Sequence, residues 1–182
     1  MMMINCVAVI IAQSLIILRD DSYTVAYSQD YHCPVQVEWI IRRADLGGGV
    51  GRSRTTFVSD TRLPPPRARH DDYSRSGYDR GHMVPSEDRQ RSVPQNGTTF
   101  RMSNVAPQVP SLNRGAWLQT EERCRQLARL YDSVKVTAEI LFLDSCPRYI
   151  GKVRIRVPSH FRKVVRVART DSILYIWTFA NE

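Results

Sequence analysis

The chain predicts a single α+β domain, an antiparallel sheet flanked by helices. Three observations carry this: apolar alternation toward both ends of the chain, one long amphipathic helical segment between them, and a length of 182 residues without repeats, low-complexity tracts or a second domain. A hydrophobic content of 42% and a charged content of 24% are those of an ordinary globular protein with a proper core.

Residues 1–14 are expected to be a leader or N-terminal extension, and residues 15–182 the domain proper. The first eighteen residues carry no charged side chain, as in a signal segment or membrane anchor. They lack a basic n-region and a clear small-residue cleavage site, and Asn5, Gln13 and Ser14 interrupt the apolar run. Export and an intracellular location both stay open.

Residues 15–27 and 35–41 read as two strands joined by a polar turn at residues 28–34. Loops follow at Gly47-Gly48-Gly49-Val50-Gly51 and from Pro64-Pro65-Pro66. In residues 98–104, Phe100 and Met102 alternate with Thr99 and Arg101, the pattern of a short half-buried strand. Pro107 and Pro110 then break the chain.

A helix is expected from Ser111, a good N-cap, to about Asp132, burying Trp117, Thr120, Cys124, Leu127 and Tyr131. Asn113 and Glu121, eight residues apart, would lie on nearly the same side of it. Residues 136–143, 152–157, 161–168 and 173–179 complete the sheet. In the second of these, Val153, Ile155 and Val157 alternate with Lys152, Arg154 and Arg156, giving one apolar and one basic face. Trp39, Trp117 and Trp177 fall in periodic apolar segments and are read as core, not as base-stacking platforms.

The balance of 26 Lys plus Arg against 18 Asp plus Glu, net +8, points to a polyanionic partner. Cys6, Cys33, Cys124 and Cys146 are scattered without C-x-x-C spacing, which argues against a structural zinc site and leaves any metal to oxygen ligands. Disulfides are not forced, and Cys124 reads as a buried free thiol.

The chemistry concentrates in Ser76-Gly77-Tyr78-Asp79-Arg80-Gly81-His82-Met83. His82 is a candidate proton acceptor two residues from the fixed cation of Arg80, and phosphodiester cleavage needs both kinds of group. Gly81 has no Cβ, so a phosphate or a metal-bound water could approach the backbone there. A lone Asp-Arg-Gly-His would usually be a surface turn. A second cluster strengthens the signal, Ser103-Asn104-Val105-Ala106-Pro107-Gln108 running on to Asn113-Arg114-Gly115-Ala116-Trp117. His32, His70 and His160 have no comparable context and read as structural or solvated.

Together with Arg54-Thr-Thr-Phe57-Val-Ser-Asp60 and Val157-Pro-Ser-His-Phe161-Arg-Lys163, these motifs resemble, in order, the DNA/RNA non-specific endonuclease family of the ββα-metal superfamily. The likeness runs from about residue 15 to the closing Phe179-Ala-Asn181-Glu182. Arg162 stands where the family often has an aromatic, Thr120 where it has a leucine, and residues 132–151 form a short connection. No residue of the reactive centre is lost.

The resemblance implies a ββα-metal nuclease fold whose site is built on a strand pair plus a helix. It implies His82 as general base, Asn113 as the single direct ligand of Mg²⁺ (Mn²⁺ as the alternative), and Glu121 as the holder of metal-bound water. Arg80, Arg54 and Arg125 would supply positive charge to the phosphate, and Asn104 would orient the centre. Each has a plainer alternative: capping for Asn113, a solvated carboxylate within reach of Arg125 for Glu121, strand termination for Asn104. Asp79 is left unassigned, and the basic face of Lys152, Arg154 and Arg156 is as easily an ordinary solvated surface.

The expected activity is metal-dependent hydrolysis of DNA and RNA with little sequence selectivity, leaving 5′-phosphate ends. DNA and RNA would be held through the phosphate backbone, no stable membrane partner is expected, and a homodimer is left open. The rival is a catalytically inactive basic nucleic-acid-binding module on the same scaffold. His82, Asn113, Arg80 and Glu121 occurring together argue against it.

Overall fold

Strand alternation builds the main layer. The computed structural model describes residues 15–50 and 56–182. In chain order its regular elements are β1 (Leu15–Asp20), β2 (Tyr23–Ser28), β3 (Cys33–Arg42), β4 (Asp79–His82), α1 (Val93–Thr98), β5 (Val105–Gln108), α2 (Pro110–Arg114), α3 (Ala116–Tyr131), β6 (Ser133–Leu141), β7 (Tyr149–Ile150), β8 (Ile155–Arg156), β9 (His160–Val167) and β10 (Ile173–Ala180). An antiparallel six-stranded sheet runs in the order β1-β2-β3-β6-β9-β10, and β4-β5 and β7-β8 form separate two-stranded ribbons.

One face of the large sheet is the core. Val37, Trp39 and Ile41 of β3, Val134, Val136 and Ala138 of β6, and Phe161 and Val165 of β9 are all buried on it. The intervening residues Gln36 and Glu38 are exposed, as a period of two requires for a half-covered sheet. α3 covers this face with Trp117, Thr120, Cys124, Leu127 and Ala128, and Trp117 meets Phe161 edge-on at 5.4 Å. Tyr131, expected on the same stripe, is exposed at the helix end. Trp39 and Trp117 are core, Trp177 is half-buried on the edge strand, and Cys33, Cys124 and Cys146 are free thiols. Among the described residues no helix is long and apolar enough to cross a membrane.

Several elements depart from the sequence expectation. Residues 15–27 are not one strand but the hairpin β1-β2, turned at Asp21 and Ser22 with Leu18 opposite Val25. Two polar turn-formers inside an apolar run suffice to reverse the chain. Residues 98–104 form no strand: α1 ends at Thr98, and Met102–Asn104 is a 3-10 turn. Phe100, Met102, Ser103 and Asn104 are all buried there, so their alternation does not sort an inner from an outer face. α1 itself has a readable start in Ser92, whose side chain accepts from the Gln95 amide at 3.3 Å, followed by Pro94 in the first turn.

Pro107, expected to break the chain, sits in β5 opposite Arg80, in a two-stranded ribbon where a missing N–H is tolerated. The basic strand face at residues 152–157 does not form. Only Ile155–Arg156 is strand, Arg154 has φ 59°, and Arg156 is buried against Asp144 at 2.8 Å.

The expected helix from Ser111 is two helices. α2 starts at Pro110 with Val109 as its N-cap, so Ser111 is not the cap. Gly115, at φ −110° and ψ −110°, breaks the helix before α3. A Cβ at Gly115 would lie 2.5 Å from the Ser111 carbonyl oxygen, so the break depends on glycine. Asn113 and Glu121 consequently sit on different helices, not on one shared face.

Candidate active site

The site is built on β4, a four-residue strand whose register with β5 sets Asp79 opposite Gln108, Arg80 opposite Pro107, Gly81 opposite Ala106 and His82 opposite Val105. At its C-terminal end the half-buried His82 packs its ring against Phe57 at 5.0 Å and, edge-on, against Phe100 at 5.2 Å. The His82 carbonyl accepts from Trp117 Nε1 at 3.3 Å, which fastens this end of the strand to α3.

At the other end, Asp79 accepts from Asn113 Nδ2 at 2.9 Å and from Arg114 Nε and Nη2 at 2.9 and 2.8 Å. Burial opposes ionisation of Asp79, but the hydrogen bonds from Arg114 and Asn113 and the charges of Arg114 and Arg80 hold its carboxyl below the ordinary range. An ionised carboxylate only accepts, so it takes the NH₂ side of the Asn113 amide and turns Oδ1 away. Asp79, unassigned from sequence, is the residue that orients Asn113.

Arg80 is anchored by Nη2 donating to the His70 carbonyl at 2.8 Å, with its guanidinium 5.6 Å from the Tyr73 ring centre. The room expected beside Gly81 is filled: a Cβ there would meet Gln108 Oε1 at 2.5 Å. What Gly81 admits closely is therefore a protein side chain.

Glu121 is buried, not a solvated helix carboxylate. Burial pushes its carboxyl up to about 7, the Lys163 charge partly offsets this, and Asp88 raises it further. Arg125 does not pair with Glu121. Its Nη1 donates to Asp88 Oδ1 at 3.1 Å, while Trp39 Nε1 donates to Asp88 Oδ2 at 2.9 Å. Burial also raises Asp88, against the charge of Arg125 beside it. Lys163 is fully buried; its Nζ donates to Thr120 Oγ1 at 2.9 Å and stands 3.8 Å over the Trp117 ring.

Asn104 is fully buried, with its amide committed to the backbone. Nδ2 donates to the carbonyls of Val84 and Thr99 at 2.9 Å each, and Oδ1 accepts from the Val84 amide at 3.0 Å. It clamps the chain leaving β4 to the turn entering β5. Arg54 lies outside the described residues.

Asp88 and Lys163 are the site residues that sequence reasoning missed as participants. Lys163 had a signal, since in residues 161–168 it alternates in phase with Phe161 and Val165 and so falls on the apolar face. Asp88 had none; its partners Trp39 and Arg125 are distant in sequence. Among the described residues no group of three or more His, Cys, Asp or Glu could cage a metal. A lone amide oxygen fits instead a hard cation that keeps most of its water.

A strand pair carrying His82 and Arg80 beside a helix pair carrying Asn113 is the arrangement of the ββα-metal nuclease fold. Comparison with known proteins agrees: residues 9–181 match the family model for DNA/RNA non-specific endonuclease, and the chain belongs to that family. It is 37% identical over 154 residues to mitochondrial Endonuclease G of Bos taurus, covering 79% of this chain and 52% of that protein. It is 31% identical over 162 residues to mitochondrial Nuclease EXOG of Homo sapiens, covering 84% and 44%. The fold matches a chain of the EndoG/EndoGI complex crystal structure with a TM-score of 0.83 and 29% identity, over 91% of this chain and 74% of that one. The chain spans about half the length of the curated relatives it matches.

Proposed function

We propose that the chain is a metal-dependent endonuclease that hydrolyses the phosphodiester bonds of DNA and RNA with little sequence selectivity. The observation that carries this is the double tether of β4: its His82 end is held to α3 by Trp117, and its Asp79 end holds Asn113 of α2. One short strand thereby fixes a proton acceptor and a cation ligand relative to each other. Such preorganisation separates a catalytic constellation from a merely basic surface.

His82 takes a proton from water, and the hydroxide attacks phosphorus. As the new P–O bond forms, the bond to the 3′ oxygen breaks, leaving a 5′-phosphate and, once that oxygen is protonated, a 3′-hydroxyl. Arg80, with Arg54 and Arg125, supplies positive charge to the pentavalent transition state; Asp88 holds Arg125 in place for this. A Mg²⁺ or Mn²⁺ ion would be held by Asn113 Oδ1, its waters by Glu121, and would add positive charge at a nonbridging oxygen and at the leaving oxygen. Asn104 positions His82 through the backbone without touching substrate.

Nicking of supercoiled plasmid with Mg²⁺ and with EDTA tests the reading. EDTA-sensitive cleavage whose products are ligatable 5′-phosphate ends is expected. Binding without cleavage would instead make the chain an inactive nucleic-acid-binding module.

A further inference from the structure

Beside the site lies a cleft of about 750 Å³ that the mechanism does not use. One wall is the segment around the 3-10 turn His70–Tyr73, with Arg69, Ser74 and Arg75; the facing wall is β7 and the turn after it, with Tyr149 and Lys152. Arg69, Arg75 and Lys152 are exposed, and none has an ion-pair partner among the described residues. Asp71 is the exposed acid in the lining, so the rim is net positive.

The walls are tied together beneath. Buried Asp72 accepts from the Arg69 amide at 2.9 Å on one side and from the Lys152 amide at 2.8 Å on the other. Gly151 sits so near that a Cβ would lie 2.4 Å from Asp72 Cβ. The proline edge is held to the turn after β2 by Gln29 Nε2, which donates to the carbonyls of Pro64 at 3.3 Å and Pro66 at 2.9 Å. The cations therefore stand on a built frame, not on a loose loop. Pro65, Pro66, Tyr149, Ile150 and Val153 add apolar surface between them.

Cations spaced around apolar and aromatic surface suit an unpaired strand, whose bases and sugars are open to contact, better than a duplex, which presents mainly phosphate. The cleft also adjoins the chemistry. Its wall residue Ser76 stands three positions before Asp79, and the carbonyl of His70, between the wall residues Arg69 and Asp71, anchors Arg80. We infer that this cleft binds a single-stranded segment of the nucleic acid flanking the scissile phosphate, with Arg69, Arg75 and Lys152 on its phosphates. The inference rests on the endonuclease reading above and adds where the substrate runs.

The test is fluorescence anisotropy with a labelled single-stranded oligonucleotide of roughly 12 nucleotides, in EDTA, over a salt series. The triple variant Arg69→Ala/Arg75→Ala/Lys152→Ala should bind about tenfold or more weakly at low salt, with the slope of log K against log salt reduced by about 2. A blunt duplex should lose less. The control Arg19→Ala/Arg129→Ala/Arg169→Ala removes the same charge from exposed positions elsewhere. Unchanged binding by the first variant, or an equal loss in the control, overturns the inference. So does a loss confined to phosphatidylserine vesicles, which would make the cleft a lipid contact. Failure of the wild type to cleave would sink the endonuclease reading instead, since the binding comparison is made without turnover.

Discussion

At the residue scale, function turns on side chains held by others. His82 is fixed by the Trp117 bond to its carbonyl and by two phenylalanine rings. His82→Ala should lower plasmid cleavage about 10²-fold or more while oligonucleotide affinity stays near wild type; near-normal turnover would remove His82 as the base. Asn113 depends on an acceptor-only neighbour. In Asp79→Asn the Asn113 amide can turn over, so the Mg²⁺ concentration for half-maximal rate should rise severalfold; an unchanged titration would show that Asp79 does not orient it. Glu121 has its carboxyl raised from 4.5 to about 7, so the folded state holds the proton more tightly than the unfolded chain. Stability from this group is complete below about pH 4.5 and is lost as pH rises through 7, on the order of 3 kcal/mol at most. Metal-free Glu121→Gln should therefore melt closer to wild type at pH 5 and above it at pH 8.5. Buried Asp88 titrates in the same sense, so the variant's pH slope is flattened rather than abolished.

At the element scale, the break between α2 and α3 aims Asn113. Continuing the helix through Gly115 would carry Asn113 away from Asp79 and onto the Glu121 face. Gly115→Ala forces its Cβ toward the Ser111 carbonyl and should cost about 1–3 kcal/mol. Lower melting temperature together with a higher Mg²⁺ concentration for half-maximal rate is expected. Lower stability with normal metal response would separate the break from the site. The β4-β5 ribbon shows the same economy of design: Pro107 and the close packing of Gln108 on Gly81 limit it to two strands beside the large sheet.

At the scale of the whole molecule, a net charge of +8 sets how substrate is met. Recognition through phosphates releases counterions, so affinity should fall on the order of tenfold or more between about 50 and 200 mM salt, and mapped cleavage sites should share no sequence. Salt-insensitive binding with one preferred site would point to a base-reading nuclease. The charge is not spread as alternation suggested. Arg156 is buried against Asp144, Arg154 stacks 4.4 Å from the Tyr149 ring centre, and Lys152 alone of the three lines the cleft.

The sequence by itself determined the family and the α+β class, and placed Trp39, Trp117 and most of the helix stripe in the core, because these reside in motif order and periodicity; its family resemblance nominated His82, Arg80, Asn113 and Glu121 as candidate site residues. It mistook a hairpin for a strand, two helices for one, and a buried arginine for a basic face. Only tertiary structure decided that Asp79 orients Asn113, that Asp88 rather than Glu121 holds Arg125, and that Lys163 lies beneath the site. Each of these pairings joins residues on different elements, all of them more than thirty positions apart in the chain. Local propensity carries no information about such distances. They are set by which faces the sheet buries and by the need of every buried polar group for a partner.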